Sequence, residues 1–431
     1  MKKLLVGLMA LGWGLVAAVG AASDDLVPAQ ECRPRGGWPH FFALTSTPGA
    51  EVRVAYLGGS ITAQAGWRVK SLAHLRATYP DVRFSEINAA IGGTGSDLGV
   101  FRLQQDVLVH RPDLVFVEFA VNDGGAPPQQ IVRCMEGIVR QIRRELPACD
   151  IGFVYTLTET LSPAMLEGKF QRSASAMEQV AEHYGLPSVH LAMEVARLAA
   201  KGRLVWKGPL PKTDEERKAQ GDAVVFAPDG VHPHPETGHV LYTEALVRSL
   251  EPIRQASQAP RDRTLPAPLD LLNYERARMI PIGAARLSSG FMKPDPATDP
   301  FAKTWVSRLT DLRRATTPGE TLTFRFKGTR CAIYDVIGPD SGQVRVTLDD
   351  RPPEIKSRFD SFCTYHRLNT FLVGTDLSDT VHTVSIELLP EAPDKAAILA
   401  QRKQTMDDPV RYGPLTFNPG AILVVGEVLA P

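Results

Sequence analysis

The chain between Val52 and about Glu251 alternates short apolar runs with segments of helical periodicity. The runs are rich in β-branched and aromatic residues, which predicts buried strands, and the segments between them predict helices. Such alternation is typical of βαβ units, which build a parallel sheet with helices on both faces. The predicted strands are 52–57, 82–87, 114–119 and 151–155, and the predicted helices are 67–77, 131–146, 164–183 and about 236–250.

A polar, Pro-rich connector at residues 255–268 marks a change in the pattern. Beyond it, strand-length runs follow one another with turn-forming residues between them and without helical segments. Several short strands in series are typical of a β-sandwich. The strands predicted here are 322–326, 332–336, 343–348, 381–388 and 421–428.

The first 22 residues have the composition of a secretory signal peptide. Lys2 and Lys3 precede an apolar run over residues 4–19, and small residues at 20–22 predict cleavage near Ala22. The run is short and interrupted by glycine, so we expect no membrane anchor after cleavage. We therefore expect a secreted or periplasmic protein. Since 431 residues exceed one ordinary core, we also expect two domains. The predicted layout is a signal peptide at 1–22, a first domain at 23–254, a linker at 255–268 and a second domain at 269–431.

Charge and cysteine content narrow the classes of function. The 48 basic and 48 acidic residues balance, and no long run of one sign predicts nucleic-acid binding. In an exported chain one disulfide is conceivable, with Cys331 and Cys363 as the best-placed pair. Buried thiols are nevertheless favoured at all five positions. The cysteines are Cys32, Cys134, Cys149, Cys331 and Cys363.

Polar groups follow several of the predicted strands. Ser60 lies in a glycine-rich turn, YLGGSIT, and a glycine-containing loop spans residues 88–99. Asn122 follows the third predicted strand, and Asp229 precedes His232 by three residues in DGVHP. Because parallel strands end at one edge of a sheet, where active sites gather, we expect these groups to meet there. A hydroxyl, an imidazole, a carboxylate and amide donors are what acyl transfer through a serine requires.

Each of these residues has a predicted role. Ser60 is the predicted nucleophile, and His232 takes its proton and later gives it to the leaving alcohol. Asp229 accepts a hydrogen bond from the other ring nitrogen and fixes the tautomer. The backbone N–H groups of Ser60 and Gly93 and the side-chain amide of Asn122 are the predicted oxyanion donors. This mechanism calls for neither a metal nor an organic cofactor.

The four segments resemble the ordered sequence blocks of the SGNH (GDSL-like) hydrolases. That family has G-D-S, a block with Asn and Gly, G-x-N-D and D-x-x-H. Gly59 stands where the family usually has Asp, and Ala120 stands in place of the Gly of the third block. Neither position bears a reacting atom. The blocks in this chain are 58–60 (GGS), 88–93 (NAAIGG), 120–123 (AVND) and 229–232 (DGVH).

The resemblance implies more than the residues alone. It implies a flavodoxin-like α/β/α three-layer domain, and the β-sandwich after it resembles the jelly-roll modules that accompany carbohydrate esterases. The implied activity is carboxylic ester hydrolysis through an acyl-serine intermediate. The implied partner is an acylated, most often O-acetylated, carbohydrate or polysaccharide. The oligomeric state stays open.

Four other interpretations are compatible with parts of the sequence. Asp229, His232, His234 and His239 would suit a zinc site, but that leaves Ser60 and Asn122 without a role. The glycines of residues 93–99 approximate a dinucleotide fingerprint with the wrong spacing. The same fold would also suit a glycan O-acyltransferase or a non-catalytic glycan-binding protein.

Aromatic residues raise the question of sugar binding. Trp67 is predicted to be core, and Arg68 a surface or interface charge. In the second domain, several aromatic side chains suit either a sugar-stacking surface or the core, and core is the commoner case. They are Trp305, Tyr334, Phe359, Tyr365 and His366. The segment 201–226 breaks the α/β pattern and predicts a surface excursion that leads into the Asp229–His232 loop.

Overall fold

The structure is a computed structural model that describes residues 25–257 and 264–430. The predicted signal peptide at 1–22 lies outside the described residues. Within those residues, none of the helices combines the length and the apolar composition that crossing a membrane requires.

The first sheet has six strands in the order β1-β6-β5-β4-β2-β3. Five of them are parallel, and β1 pairs with β6 in the antiparallel direction at one edge. Among the parallel strands the order is that of the flavodoxin-like fold, so the predicted α/β/α architecture is confirmed. The strands are β1 (Cys32–Arg33), β2 (Glu51–Gly58), β3 (Arg83–Ala90), β4 (Leu114–Glu118), β5 (Asp150–Tyr155) and β6 (Ser188–His190).

Helices connect the strands of this sheet and cover both faces, as crossover connections require. The predicted single helix over 164–183 is wrong: two helices form, with a break around Gly168. Gly168 has a φ of +75°, and the N–H of Phe170 donates to the carbonyl of Val27 instead of continuing a helix. The helices are α1 (Pro39–Thr45), α2 (Ser60–Ala63), α3 (Trp67–Thr78), α4 (Ser96–Asp106), α5 (Pro128–Glu145), α6 (Ser162–Leu166), α7 (Arg172–His183), α8 (Met193–Ala200), α9 (Asp214–Gln220) and α10 (Gly238–Ala256).

The segment predicted as a surface excursion has structure of its own. β7 (Leu204–Lys207) and β8 (Val224–Ala227) form a two-stranded parallel sheet with α9 between them. The loop that carries Asp229 and His232 follows β8 directly.

The second sheet is antiparallel and has eight strands, which fits the predicted β-sandwich. Its path runs β13-β12-β15-β11-β16-β9, and β10 and β14 pair with β11 off this path. The strands are β9 (Ala277–Pro281), β10 (Arg286–Leu287), β11 (Thr321–Ile337), β12 (Gln343–Leu348), β13 (Glu354–Ser357), β14 (Arg367–Gly374), β15 (Thr380–Leu388) and β16 (Asn418–Leu429), and the helices are α11 (Pro300–Trp305), α12 (Lys395–Ala400) and α13 (Pro409–Tyr412).

The predicted strands 322–326 and 332–336 are one strand, β11. Its first half pairs with β15 and its second half with β14, while β16 runs along nearly its whole length. A register irregularity between Gly328 and Arg330 interrupts the alternation, and such bulges bend a strand without ending it. The sequence therefore shows two runs where the backbone continues.

The two sheets share buried surface. Tyr334 and Leu423 of the second sheet belong to the same apolar cluster as Phe101 and Val100 of α4. Glu136 of α5 accepts hydrogen bonds from the backbone N–H groups of residues 269 and 270, at 2.5 and 2.8 Å. The second sheet is thus packed against the helices next to the ends of β3 and β4.

The five cysteines are free thiols. Cys331 lies in the core of the second sheet, whereas Cys363 belongs to a separate small cluster with Phe359, Leu399 and Tyr412. The pair that the sequence placed first for a disulfide is therefore not bridged. Cys32 is half-buried, and the other four thiols are buried.

Candidate active site

Ser60 lies at the carboxyl edge of the first sheet, where β2 ends and α2 begins. Gly59 precedes it with an extended backbone, and its neighbour Gly58 is the last residue of β2. The Ser60 side chain is half-buried. A hydroxyl in this position is held by a buried strand and still open to a ligand from above the sheet.

His232 and Asp229 complete a chain of hydrogen bonds with Ser60. The distance between His232 Nε2 and Ser60 Oγ is 2.8 Å, and that between His232 Nδ1 and Asp229 Oδ2 is 2.7 Å. The other carboxylate oxygen of Asp229 accepts the backbone N–H groups of Val231 and His232. These bonds lower the pKa of Asp229 to about 2, against the opposing effect of desolvation. One carboxylate therefore fixes both the loop and the imidazole ring.

The loop after β3 brings Gly92 and Gly93 beside Ser60. A Cβ atom built on Gly92 would lie 3.7 Å from the Cβ of Ser60. Gly93 has a φ of +73°, in the left-handed region that favours glycine. The space around its Cα is open, so a ligand can approach the backbone there closely.

Asn122 lies in the turn that follows β4, and its side chain contacts Gly59. A Cβ atom built on Gly59 would lie 1.9 Å from Asn122 Oδ1. This contact supplies a physical reason for the glycine at position 59, because the amide of Asn122 occupies the space that a larger residue would need. Asn122 is half-buried and lines one pocket together with Gly93.

Two buried charged residues below the site, Glu118 and Arg102, were not predicted as site residues. Glu118 ends β4 and accepts hydrogen bonds from Thr62 Oγ1 at 2.8 Å and Thr156 Oγ1 at 2.6 Å. Burial raises the pKa of Glu118, and hydrogen bonds from these hydroxyls oppose that rise. Arg102 of α4 is also fully buried, and desolvation lowers its pKa. A lone carboxylate inside the apolar run 114–119 was the available signal for Glu118.

Asp123, predicted to have a structural role, is buried behind Asn122. Its Oδ1 accepts the N–H of Ser96 at 3.0 Å, the first residue of α4. Its Oδ2 is buried and has no hydrogen-bond partner within residues 25–257 and 264–430. Desolvation is the main cause that raises the pKa of Asp123 to about 7.

The histidines considered for a zinc site have different surroundings. His234 bonds to the carbonyl of Gly208 through Nε2 at 2.9 Å. His239 is fully buried and bonds to the N–H of Trp67 and the side chain of Gln64. Burial lowers the pKa of His239 to about 4. Among the described residues, groups of three or more His, Cys, Asp or Glu side chains arranged to hold a metal ion are absent.

Trp67 and Arg68 lie close to Ser60 in the sequence. Trp67 is fully buried, as predicted. Arg68, predicted as a surface or interface charge, does not lie at the surface, since it is 6% exposed. Its guanidinium donates to the carbonyls of Thr62 and Ala63, which close the short helix after Ser60.

Gly99, the last glycine of the segment that approximates a dinucleotide fingerprint, has a packing role in α4. Gly99 of α4 meets the ring of Phe119, because a Cβ atom there would lie 2.5 Å from Phe119 Cζ. The glycine thus allows α4 to lie close to the segment that follows β4.

A cleft of about 760 Å³ opens from the Gly92–Gly93 loop and is closed on its other side by the second domain. Phe362 and Tyr365 are 45% and 56% exposed. Trp305 and His366 also line the cleft, whereas Tyr334 and Phe359 are buried core residues. The predicted aromatic set therefore divides between cleft and core. The second domain also contributes Thr304, Ser307, Arg308, Asp360, Arg367 and Leu368 to the lining.

Comparison with known proteins finds a curated relative of part of the chain. An arylesterase of Vibrio mimicus is 30% identical over 111 residues, which are 24% of this chain and 54% of that protein. The chain thus spans about half the length of this curated relative.

Solved structures extend the likeness to both domains. Two crystal structures of a two-domain esterase (CEX) active on acetylated mannans, the first with mannopentaose, have TM-scores of 0.68. They are 20% and 18% identical, and the match covers 91% of this chain and 96% and 97% of theirs. At this identity the likeness concerns the fold. Residues 56–239 match the family model of the GDSL-like Lipase/Acylhydrolase family.

Proposed function

We propose that this protein is a serine esterase that removes acyl groups, chiefly acetyl groups, from a carbohydrate. The observation that carries the proposal is the hydrogen-bond chain from Ser60 through His232 to Asp229, at 2.8 and 2.7 Å. Nucleophile, base and orienting carboxylate at these distances form the arrangement that activates a serine.

The reaction follows from the groups present. Ser60 Oγ attacks the ester carbonyl carbon while His232 Nε2 takes the hydroxyl proton. The oxyanion of the tetrahedral intermediate accepts hydrogen bonds from the N–H groups of Ser60 and Gly93 and from the amide of Asn122. His232 then gives its proton to the leaving alkoxide, and the acyl group stays on Ser60. A water molecule, deprotonated by His232, attacks the acyl carbon. The bond from that carbon to Ser60 Oγ then breaks, the acid leaves, and His232 returns the proton to Oγ.

The cleft supports a carbohydrate as the alcohol part of the ester. Tyr365 is exposed next to charged Arg308 and Arg367, and so is Phe362, whose ring Arg402 covers on one face. Such a mixture suits ligands with both apolar ring faces and hydroxyls. The two-domain likeness to an esterase active on acetylated mannans points to the same substrate class. The predicted signal peptide supports a site of action outside the cytoplasm, where polysaccharides occur.

The test is ester hydrolysis by the purified mature protein with p-nitrophenyl acetate, butyrate and octanoate, and acetate release from acetylated mannan and xylan. We expect a preference for acetyl esters, no loss with a chelator, and a loss of at least about 10³-fold in Ser60→Ala. Activity that survives in Ser60→Ala, or that a chelator abolishes, would refute the serine mechanism. Glycan binding without turnover by the wild type would favour a binding protein.

A further inference from the structure

The peptide bond between Gly58 and Gly59, directly before Ser60, has a buried side chain of opposite charge at each of its polar groups. Arg102 Nη2 donates to the carbonyl oxygen of Gly58 at 3.2 Å. The N–H of Gly59, on the same peptide, interacts with the carboxylate of Glu118 and opposes the rise in its pKa that burial causes. Both charged residues are 1% exposed.

Each of the two charges also bonds to a neighbouring element of the site. Arg102 donates to the carbonyl of Ala89 in β3, ahead of the loop that carries Gly93. Glu118 interacts with the N–H of Ala120, ahead of Asn122. The pair therefore connects the nucleophile turn with the two elements that supply the other predicted oxyanion donors.

Two consecutive glycines give the Gly58–Gly59 peptide more backbone freedom than other residues would, since neither has a Cβ atom. The carbonyl of Gly58 accepts the N–H of Ile91 at 3.0 Å, and the two charged side chains add to this one backbone contact. Hydrogen bonds to charged groups are about twice as strong as neutral ones, and a cation at the oxygen with an anion at the N–H favours one orientation of the peptide dipole. That orientation sets the position of the next residue, Ser60.

Burying two charges is costly unless all their hydrogen bonds are made. Glu118 accepts the hydroxyls of Thr62 and Thr156, and two backbone N–H groups also interact with it. Arg102 bonds to two carbonyls and forms an ion pair with Asp106 at 2.8 Å, while its Nε is buried without a hydrogen-bond partner among the described residues. The bonds of the two side chains converge on the peptide before Ser60.

We propose that Arg102 and Glu118 are positioning residues of the esterase. Their opposite charges fix the Gly58–Gly59 peptide, which holds Ser60 Oγ in line with His232 and with the donors of Gly93 and Asn122. This inference rests on the proposed function, because it takes Ser60 as the nucleophile.

A matched pair of residues separates positioning from stability alone. Glu136 of α5 is fully buried and, like Glu118, accepts two backbone N–H groups and a hydroxyl, here that of Tyr184. Arg140 is 8% exposed and, like Arg102, donates to a backbone carbonyl and pairs with a carboxylate, here Glu275. Both lie on α5 and contact the segment 266–275, away from Ser60.

The experiment compares Glu118→Gln and Arg102→Lys with Glu136→Gln and Arg140→Lys. We expect kcat on p-nitrophenyl acetate to fall about 10²-fold in the first two, with KM within about threefold, because misalignment affects the reacting atoms more than binding. Inactivation by a fluorophosphonate, which reports the reactivity of Ser60, should slow in parallel. The α5 variants should lower the unfolding temperature by a similar amount and keep kcat.

A second pair of variants, at Thr62, tests the inference if the charge variants do not fold. Thr62→Val removes one hydroxyl donor to Glu118, and Thr62→Ser keeps it. We expect kcat to fall about 3- to 10-fold in the first and to stay within about twofold in the second.

The outcomes are distinct. A wild-type protein without ester turnover or fluorophosphonate labelling would overturn both the proposed function and this inference. A wild-type protein that is active, loses activity in Ser60→Ala and keeps its kcat in Glu118→Gln and Arg102→Lys would overturn the positioning inference alone. Equal losses of kcat in the α5 variants would overturn it as well.

Discussion

His232 Nε2 lies 2.8 Å from Ser60 Oγ, although 172 residues separate the two in the sequence. Ser60 follows β2 at the carboxyl edge of the first sheet, and His232 lies in the loop after β8 at the same place. The first sheet therefore positions Ser60, and the two-stranded sheet of β7 and β8 leads into the loop that places His232 beside it.

Removing the charge that orients His232 should impair the reaction without unfolding the protein. In Asp229→Asn the side chain cannot accept from Nδ1 with a full charge, and we expect kcat to fall about 10²-fold or more. Because Asp229 has a pKa of about 2, it stays ionised above pH 4 and should not itself cause an acid limb in a rate profile above that pH.

Asp222→Asn is a suitable control for that variant. Asp222 lies seven positions earlier, its side chain is 91% exposed, and its nearest cation, Arg203, is 3.9 Å away. We expect its kcat to match that of the wild type. A kcat for Asp229→Asn equal to that of Asp222→Asn would show that the carboxylate has no part in turnover.

A methyl group at position 59 should displace the amide of Asn122. The contact of 1.9 Å that a Cβ atom would make with Asn122 Oδ1 cannot be accommodated without movement. Losing a directed oxyanion donor costs about 10²- to 10³-fold in kcat, so we expect Gly59→Ala to lose activity in that range with KM little changed.

Gly125→Ala is the matched control, because a Cβ atom there meets nothing within 4 Å. Steady-state kinetics of both variants on p-nitrophenyl acetate, with circular dichroism to verify folding, would decide the matter. Equal kcat values in the two variants would argue against a role for the Asn122 amide.

Much of the fold could be predicted because its signals are local. The runs at 52–57 and 343–348 are short, apolar or alternating, and bounded by turn residues, which is how strands of either sheet usually appear. The runs at 322–326 and 332–336 misled because a bulge at Gly328–Arg330 changes the alternation but not the path of β11. β11 continues through the bulge because it pairs with β16 on both sides, and the sequence does not show that pairing.

The site divides in the same way. Asp229 and His232 lie three residues apart, so their proximity is visible in the sequence, and Ser60 has a recognisable glycine turn. Their catalytic roles stay predictions. Arg68 was expected at the surface because it is charged, but its hydrogen bonds go to carbonyls that the sequence does not identify as neighbours. Arg102 was not predicted as part of the site for the same reason, since it donates to the carbonyls of Gly58 and Ala89.

A contribution of the second domain to substrate binding should show only with a long substrate. Tyr365 is 56% exposed on the cleft and has little to stabilise in the core. We expect Tyr365→Ala to lower kcat/KM on acetylated mannan about 3- to 10-fold, the range of one aromatic contact. Hydrolysis of p-nitrophenyl acetate, which is too short to reach the second domain, should not change.

Val410→Ala offers a control for Tyr365→Ala, since Val410 is 85% exposed and does not line the cleft. Parallel losses on polymer and on p-nitrophenyl acetate would indicate a general defect. Equal activity of Tyr365→Ala and Val410→Ala on polymer would remove Tyr365 from the substrate site.

Asp123 should make the stability of the protein depend on pH in a defined window. Its folded-state pKa of about 7 lies above the ordinary value of 3.8, so between these values the folded protein binds a proton that the unfolded chain has lost. The stabilisation that this group contributes is therefore full below about pH 4, falls as the pH rises, and is constant above about pH 7, a change of at most about 4 kcal/mol.

Asp123→Asn removes the titration, so its stability relative to the wild type should rise between pH 4 and 7 and then level off. Urea unfolding of both proteins at pH 4, 5.5, 7 and 8.5 measures this difference directly, since the other titrating groups are common to both. A stability difference that is constant or falls with pH would mean that the Asp123 carboxyl group is not protonated in the folded protein.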